Sequence, residues 1–293
     1  MTFKSILVAT DFSDSARHAA YRGAVLAAES GAQLELLHVM SRPSLDALRG
    51  MFLAHLAAEA ALIDDVRSML SELGANISSD TGVAANARVS IGNVLDDILA
   101  ASEQADMTVL GARGLNPLRD SIIGTTAERL LRKIRRPVLV VKRESHGTYN
   151  NVLVPVDLSE YSASALNLAL TVAPTAQITL VHAFDLPFEG KLRMAGVSHS
   201  EIERNRAHAQ QQALSQIRSL TENVHGNMRR FADVVDQADP RRLIVAREKT
   251  LRAELIVLAK HGSMVEDFFV GSVTRHVLSY SQCDVLVDTT GAR

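Results

Sequence analysis

The stretch Val109-Leu110-Gly111-Ala112-Arg113-Gly114-Leu115, followed after nine residues beyond Gly114 by Gly124-Thr125-Thr126-Ala127, decides the fold class of this chain. It leaves an apolar segment, passes two glycines, and reaches a third glycine with two hydroxyls that open a helical pattern. We expect the glycines to permit positive φ and close approach of a ligand, and the first amides of the helix to be unpaired at its positive end. The stretch predicts either an anion site, with phosphate as the expected anion, or simple turns.

Outward from this stretch, short apolar runs alternate with stretches of helical periodicity over the first half of the chain. The predicted strands are 5–10, 33–39, 83–90, 107–110 and 138–141. The predicted helices are 14–31 with a cap at Ser13 or Asp14, 45–73 with a stop at Gly74 and a break at Gly50 left open, 93–103 and 125–134. Alternation of this kind predicts a parallel sheet with helices on both faces.

Ligands of open parallel sheets bind beyond the carboxyl ends of the strands. Asp11 follows the first predicted strand and Gly111 follows the fourth. Two separate features therefore predict a site at the same edge of the sheet.

The second half of the chain repeats the first. The opening around Asp11 returns around Asp157, 146 residues later, and Leu36-Leu37-His38-Val39 returns as Leu180-Val181-His182-Ala183. Similarity in fixed order predicts two copies of one domain. We expect two α/β domains with five strands each, at 1–145 and 150–290, joined by a polar linker around Gly147.

Composition excludes several classes of protein. Of the 293 residues, 47% are hydrophobic and 22% are charged, as in ordinary soluble domains, and the formal net charge is -2. That balance, with no Trp, argues against a nucleic-acid or membrane partner. One cysteine, Cys283, forms no internal disulfide, and no apolar run is long enough to span a bilayer. We therefore expect a cytoplasmic protein.

Four motifs together resemble the universal stress protein family in its tandem two-domain form. They are Ile-Leu-Val-x-Thr-Asp-x-Ser at 6–13, Leu-Leu-His-Val at 36–39, Gly-x2-Gly-x9-Gly-Thr at 111–125 and Pro-Val-Leu-Val-Val at 137–141. The resemblance implies a Rossmann-like five-stranded parallel α/β fold in each repeat and ATP binding where the glycine motif is complete. It also implies stress survival and signalling, dimers formed through the last strand, and little enzymatic activity.

Carried over by position, the resemblance implies which residues hold ATP in the first repeat. Gly111, Gly114, Gly124 and Thr125, with Thr126 beside them, would line the phosphates. Thr10 and Asp11 would lie near the ribose and adenine, and Val39 would touch the base.

Two roles stay open at this stage. Asp11 either coordinates Mg²⁺ or orients the ribose, or it only caps the next helix. Arg113 either reaches a phosphate or is a solvated loop cation.

The glycine motif is altered in the second repeat. Ala259 replaces Gly111, and eight residues instead of nine separate Gly262 from Gly271. We expect the alanine to weaken phosphate binding, through the cost of positive φ or through a methyl group against the phosphate. Glu266 and Asp267 add negative charge, which Lys260 would partly offset. The candidate residues that remain are Asp157, Gly262, Gly271, Ser272 and Thr274.

Other chemistry is not indicated by the sequence. There is no Gly-x4-Gly-Lys-Ser/Thr, no Gly-x-Gly-x-x-Gly at the start of either half, and no metal-ligand spacing among the ten histidines. We expect structural roles for His38 and His182, inert packing for Cys283, and a solvated surface for the cations at 129–136.

The main hypothesis is an ATP-binding module, with Mg²⁺, in which occupancy orders the loop 115–123 and a protein partner senses the change. The two repeats are expected to form an intrachain pseudo-dimer, and the chain a homodimer. Two alternatives stay open: a slow ATPase or nucleotidyl transferase on the same site, and a nucleotide-free scaffold.

Overall fold

The computed structural model describes residues 2–51, 56–114, 124–186, 189–222, 230–260 and 270–290. In the first repeat the strands are β1 Ser5–Ala9, β2 Gln33–Ser41, β3 Ala85–Gly92, β4 Met107–Gly111 and β5 Val138–Val141. The helices are α1 Asp14–Ser30, α2 Arg42–Met51, α3 Leu56–Thr81, α4 Val94–Ser102 and α5 Thr125–Lys133. All five predicted strands are present.

The second repeat follows the same order. Its strands are β6 Asn151–Pro155, β7 Gln177–Phe184, β8 Phe231–Gln237, β9 Leu255–Ala259 and β10 Asp284–Asp288. Its helices are α6 Tyr161–Val172, α7 Glu189–Met194, α8 His199–Glu222, α9 Pro240–Leu251 and α10 Ser272–Tyr280.

The ends of α1 are where the sequence predicts them, and the end of α3 is not. The Ser13 hydroxyl accepts a hydrogen bond from the Ala16 amide, and Gly31 ends α1 in the left-handed conformation. The stop predicted at Gly74 is wrong, because α3 continues to Thr81. A Cβ on Gly74 would lie 3.7 Å from the Cβ of Ala85, so this glycine is a helix–strand contact rather than a cap.

One sheet of ten strands runs through both repeats, in the order β3-β2-β1-β4-β5-β10-β9-β6-β7-β8. Neighbouring strands are parallel except β5 and β10, which pair antiparallel with Leu139 opposite Leu286. Apolar side chains pack against both faces of the sheet, as predicted for an α/β fold with helices on each side. Because β5 and β10 each have a neighbour on both sides, a homodimer cannot form through this edge, and the predicted edge pairing occurs within the chain.

A buried polar cluster lies where the two repeats meet. The Asp284 carboxylate of β10 accepts hydrogen bonds from the Tyr149 hydroxyl at 2.6 Å and the Lys142 amide at 2.8 Å. It also forms an ion pair at 3.4 Å with Arg22 of α1, whose guanidinium lies 4.0 Å from the centre of the Tyr149 ring. The predicted linker therefore contributes Tyr149, fully buried, to the interface between the repeats.

Candidate functional site

The loop after β1 has a strained and heavily hydrogen-bonded backbone. Phe12 adopts φ of 65°, which is unusual for a residue with a side chain. The Thr10 hydroxyl accepts a hydrogen bond from the Phe12 amide at 3.1 Å, and one carboxylate oxygen of Asp11 accepts a hydrogen bond from the Ser13 amide at 3.1 Å. The expected helix-capping role falls to Ser13, while Asp11 shapes the turn before it.

The loop after β4 is tied to the first turn of α1. The Arg113 amide donates to the Ser15 hydroxyl at 3.1 Å, and the Ser13 hydroxyl donates to the Arg113 carbonyl at 3.3 Å. A Cβ added to Gly114 would lie 2.7 Å from Oδ2 of Asp11. The glycine therefore lets the second loop approach the carboxylate of the first.

None of the three glycines of the motif adopts the positive φ that the sequence suggested. The positive-φ glycines of the described chain are Gly31, Gly82, Gly147 and Gly196. Gly124 has φ -63 and ψ 145 and precedes α5, with no side chain capping the helix. Its amide donates to the Ala112 carbonyl at 2.8 Å, so both ends of the segment 115–123 meet here. That segment lies outside the described residues.

These loops surround one cavity of about 370 Å³. It is lined by all nine residues proposed for the first repeat: Thr10, Asp11, Val39, Gly111, Arg113, Gly114, Gly124, Thr125 and Thr126. The strand ends and the start of α5 therefore converge on one edge of the sheet, as the alternation of elements predicts.

The sequence did not predict several of the residues that line this cavity. Val94 and Ile98, on the first two turns of α4, line it, as does His38. The signal for the first two was the Asn93 cap, because its side chain begins α4 at the same edge of the sheet.

His38 combines the predicted structural role with a place in the cavity. Its Nδ1 donates to the Thr10 carbonyl at 2.8 Å, and its ring stacks on Phe12 with centroids 4.6 Å apart. Burial lowers the pKa of His38, although that hydrogen bond and the nearby charge of Asp11 each raise it. A neutral ring that donates through Nδ1 leaves Nε2 as an acceptor.

Within the described ranges, no group of three or more His, Cys, Asp or Glu side chains could hold a metal ion. Asp11 is the one carboxylate among the residues that line the first cavity. A divalent cation would therefore depend mainly on oxygens supplied by a ligand.

The second repeat has a cavity of about 900 Å³ at the corresponding place. Asp157, Gly271, Ser272 and Thr274 line it, whereas Gly262, Glu266 and Asp267 lie outside the described residues. Leu158 repeats the strained φ of 65° seen at Phe12. One oxygen of Asp157 accepts from the Ser159 amide and from the hydroxyls of Ser159 and Ser162.

Of the two expected reasons for weaker phosphate binding at Ala259, the first, the cost of positive φ, is wrong. A Cβ on Gly111 would lie 2.6–2.8 Å from backbone atoms of Ser15 and Ala16, so that glycine permits β4 to touch α1. Ala259, the corresponding residue, ends β9 without positive φ. Ala259 itself lines the second cavity, so a clash between its methyl group and a phosphate stays a prediction.

Lys260 lines the cavity of its own repeat and also contacts the other repeat. Its side chain is buried, and Nζ donates to the carbonyls of Leu131 at 3.3 Å and Arg132 at 3.4 Å, across the interface between the repeats. Glu266 and Asp267 lie outside the described residues, so the expectation that this cation partly offsets their charge stays a prediction.

Cys283 is buried, and burial, followed by the charges of Glu248 and Asp284, raises the pKa of its thiol. A thiol held in this way is a poor nucleophile, in agreement with the packing role predicted for it.

In the described part of the chain no helix combines the length and apolarity that crossing a membrane requires.

Comparison with known proteins gives one consistent result. The model of the universal stress protein family matches the chain twice, over residues 2–142 and 148–288. A universal stress protein of Mycolicibacterium smegmatis is 26% identical over 70% of this chain and 69% of its own length. One of Mycobacterium tuberculosis H37Rv is 24% identical over 72% of this chain and 71% of its own length.

Solved structures show the same fold. A universal stress protein from Archaeoglobus fulgidus superposes with a TM-score of 0.68, at 17% identity and 98% coverage of both chains. A putative universal stress protein from Pseudomonas aeruginosa has a TM-score of 0.63, at 18% identity, and covers 97% of this chain and 92% of its own.

Proposed function

Since the chain belongs to the universal stress protein family, we propose that its first repeat binds ATP with Mg²⁺ and that occupancy acts as a conformational signal in the stress response. The observation that carries the proposal is the convergence of Asp11, Gly114 and the start of α5 on one cavity.

The polar end of the cavity suits phosphates. The first turn of α5 begins after Gly124, which has no side chain to cap the helix. Free amides at the positive end of a helix favour an anion. Thr125 and Thr126 are exposed there and line the cavity, and Arg113 adds a cation at its rim.

The apolar end suits a nucleobase. Val39, Leu37, Val94 and Ile98 line it from β2 and α4. Between the two ends, Asp11 keeps one carboxylate oxygen beside Gly114, where a ribose hydroxyl would donate to it. A ligand with a flat apolar head, a hydroxyl-bearing middle and an anionic tail fits this order of groups.

The signal would arise at the segment 115–123, outside the described residues. Its two ends meet at the cavity, because the Gly124 amide bonds to the Ala112 carbonyl and Gly114 contacts Asp11. A ligand that contacts both ends favours one arrangement of the segment between them, and a partner that prefers this arrangement responds to occupancy. The proposal places the protein in the cytoplasm, where ATP is available.

The test is to purify the full chain without added nucleotide, denature it, and identify what it releases by mass spectrometry, with calorimetry of ATP and Mg²⁺ alongside. In the variant Gly114→Asp the new carboxylate would lie beside Asp11 and repel the phosphates of ATP, and we expect affinity to fall roughly a hundredfold, or about 2.7 kcal/mol. Gly190→Asp, which adds the same group at an open position on α7, is the matched control.

Each outcome has a defined meaning. A wild-type chain that releases no nucleotide and does not bind ATP overturns the proposal and favours the scaffold. Sustained ADP production that disappears in Asp11→Ala supports the ATPase instead. Because one solved universal stress protein is in complex with cAMP, competition by cAMP is measured too; displacement of ATP by a lower concentration of cAMP would reassign the ligand.

A further inference from the structure

The walls of the second cavity have lost polar side chains, position by position. Val156 stands where the first repeat has Thr10, and Val273 stands where it has Thr126. Ala183 replaces Val39 and leaves more room at the end assigned to the base. The apolar part of the wall is formed by Val181, Ile244, Leu258 and Val270, beside the polar residues Asp157, Lys260 and Ser272. These changes remove hydrogen-bonding groups for a nucleoside and enlarge an apolar space.

One hydroxyl has been added against this trend. Thr274 lines the second cavity where the first repeat has Ala127, and it is only 6% exposed. No hydrogen-bond partner of its hydroxyl is found in the described part of the chain. Its oxygen is not among the buried polar atoms of the described chain that lack a partner, so it is accessible from the cavity, and a ligand that accepts its hydrogen bond replaces water there.

The described charges around this hydroxyl favour an anion of low charge. Arg275 follows Thr274, lines the cavity and is exposed, and no described residue pairs with its guanidinium. The start of α10 has no side-chain cap. Lys260 also lines the cavity, but its ammonium donates to the carbonyls of Leu131 and Arg132, and Asp157 adds one negative charge. A triphosphate, with several negative charges, is poorly matched by this set.

From this arrangement we infer that the second repeat binds a small molecule with an apolar body and a single carboxylate. The carboxylate accepts from the Thr274 hydroxyl and lies at the start of α10, near Arg275. The apolar body occupies the space between Ala183, Ile244 and Leu258. The two repeats then take different ligands, a nucleotide in the first and an apolar acid in the second.

The test uses the full chain, with ATP and Mg²⁺ both present and absent. Two acids are titrated by calorimetry: octanoate, with a flexible acyl body, and 1-naphthoate, with a flat aromatic body. Each is compared with its uncharged amide. We expect one acid to bind with one site per chain, equally well with and without ATP, and its amide to bind at least tenfold more weakly. The acid that binds shows whether the cavity prefers a flexible acyl body or a flat aromatic one.

Three variants locate the site. Thr274→Val removes the hydroxyl at constant shape, and we expect the acid to bind roughly threefold to tenfold more weakly, as one hydrogen bond predicts. Ala183→Phe fills the cavity and should abolish binding. Thr250→Val makes the same chemical change at an exposed position of α9 and should have no effect.

The inference is overturned if neither acid binds, if the amides bind as tightly as the acids, or if Thr274→Val and Ala183→Phe leave the affinity unchanged. Two molecules of ATP per chain would also overturn it. Unchanged thermal unfolding of each variant shows that the chain is folded whether or not the first repeat binds ATP, so failure here is distinguishable from failure of the nucleotide proposal.

Discussion

The ammonium of Lys260, in the second repeat, lies 3.3 Å from the backbone carbonyl oxygen of Leu131, in the first. This carbonyl belongs to the last turn of α5, where backbone acceptors have no donor within the helix. Lys142 of the first repeat does the converse, since its ammonium donates to the carbonyls of Leu278 and Ser281 at the end of α10. Each repeat thus supplies a cation to the negative end of a helix in the other.

Replacing Lys260 by Met should destabilise the protein by about 1–3 kcal/mol, because buried carbonyl oxygens lose their donor while the volume of the side chain is kept. Urea unfolding measures the loss. Lys133→Met, at an exposed position on α5, is the control and should change stability by less than about 0.5 kcal/mol. Equal stability of the two variants would contradict a capping role for Lys260.

Gly111→Ala should destabilise the chain by about 1–3 kcal/mol through overpacking, because the new methyl group meets backbone atoms of Ser15 and Ala16 at 2.6–2.8 Å. The first turn of α1 and the Asp11 loop would be displaced together, so ATP affinity should fall as well. Thermal unfolding and calorimetry measure the two effects.

The control for Gly111→Ala is Gly190→Ala, which adds a methyl group in open space on α7. It should leave ATP affinity unchanged. If Gly111→Ala kept wild-type stability but lost ATP, the glycine would act on the ligand and not on α1.

The strands and the position of the first cavity were predictable because both depend on local patterns. Buried strands such as β5 are continuous apolar runs, and parallel strands place the loops after β1 and β4 at one edge. Local signals also define α1, whose Ser13 cap and Gly31 stop are confirmed.

The failures share a physical cause, which is that the residue concerned acts on something distant in sequence. Gly74 contacts β3 instead of ending α3, and Gly111 contacts α1 instead of taking positive φ. Lys260 likewise has a contact that no local pattern indicates, because it donates to carbonyls about half the chain away, in the other repeat. Propensity and spacing hold no information on such contacts.

Lys142 should titrate at an unusually low pH. Burial lowers its pKa from 10.5 to about 8, although the charges of Glu248 and Asp284 raise it. The unfolded chain keeps this proton to about pH 10.5 and the folded chain only to about pH 8, so unfolding takes up a proton between these values. The cost of burying the ammonium is therefore fully present below pH 8, and the contribution of Lys142 to stability rises from pH 8 to pH 10.5.

Carbon-13 NMR of the lysine Cε atoms, with Lys142→Met to assign the signal, measures this titration directly. The free energy of unfolding of the wild type, relative to Lys142→Met, should rise with pH across the same window. A midpoint near 10.5 for the assigned signal would show that the ammonium is well solvated and would contradict the buried position.

Breaking the buried ion pair between Arg22 and Asp284 should be the most damaging of these changes. The two side chains are 6% and 2% exposed, and Asp284 also accepts from the Tyr149 hydroxyl and the Lys142 amide. Asp284→Asn leaves the guanidinium buried without its anion, which typically costs about 3–5 kcal/mol. In the exposed pair of Asp64 and Arg67, with side chains 72% and 64% exposed, Asp64→Asn should cost less than about 0.5 kcal/mol.

The double variant Arg22→Met with Asp284→Asn distinguishes the loss of the ion-pair attraction from the cost of leaving Arg22 buried without an anion. Because the cost of Asp284→Asn comes mainly from the uncompensated Arg22, removing that cation as well should recover part of the stability, and the two losses should not add. Urea unfolding of the wild type, the two single variants and the double variant measures the four free energies of this double-mutant cycle. Additive losses would mean that Arg22 is stabilised chiefly by the Gly147 carbonyl and the Tyr149 ring, and that the ion pair contributes little to holding the two repeats together.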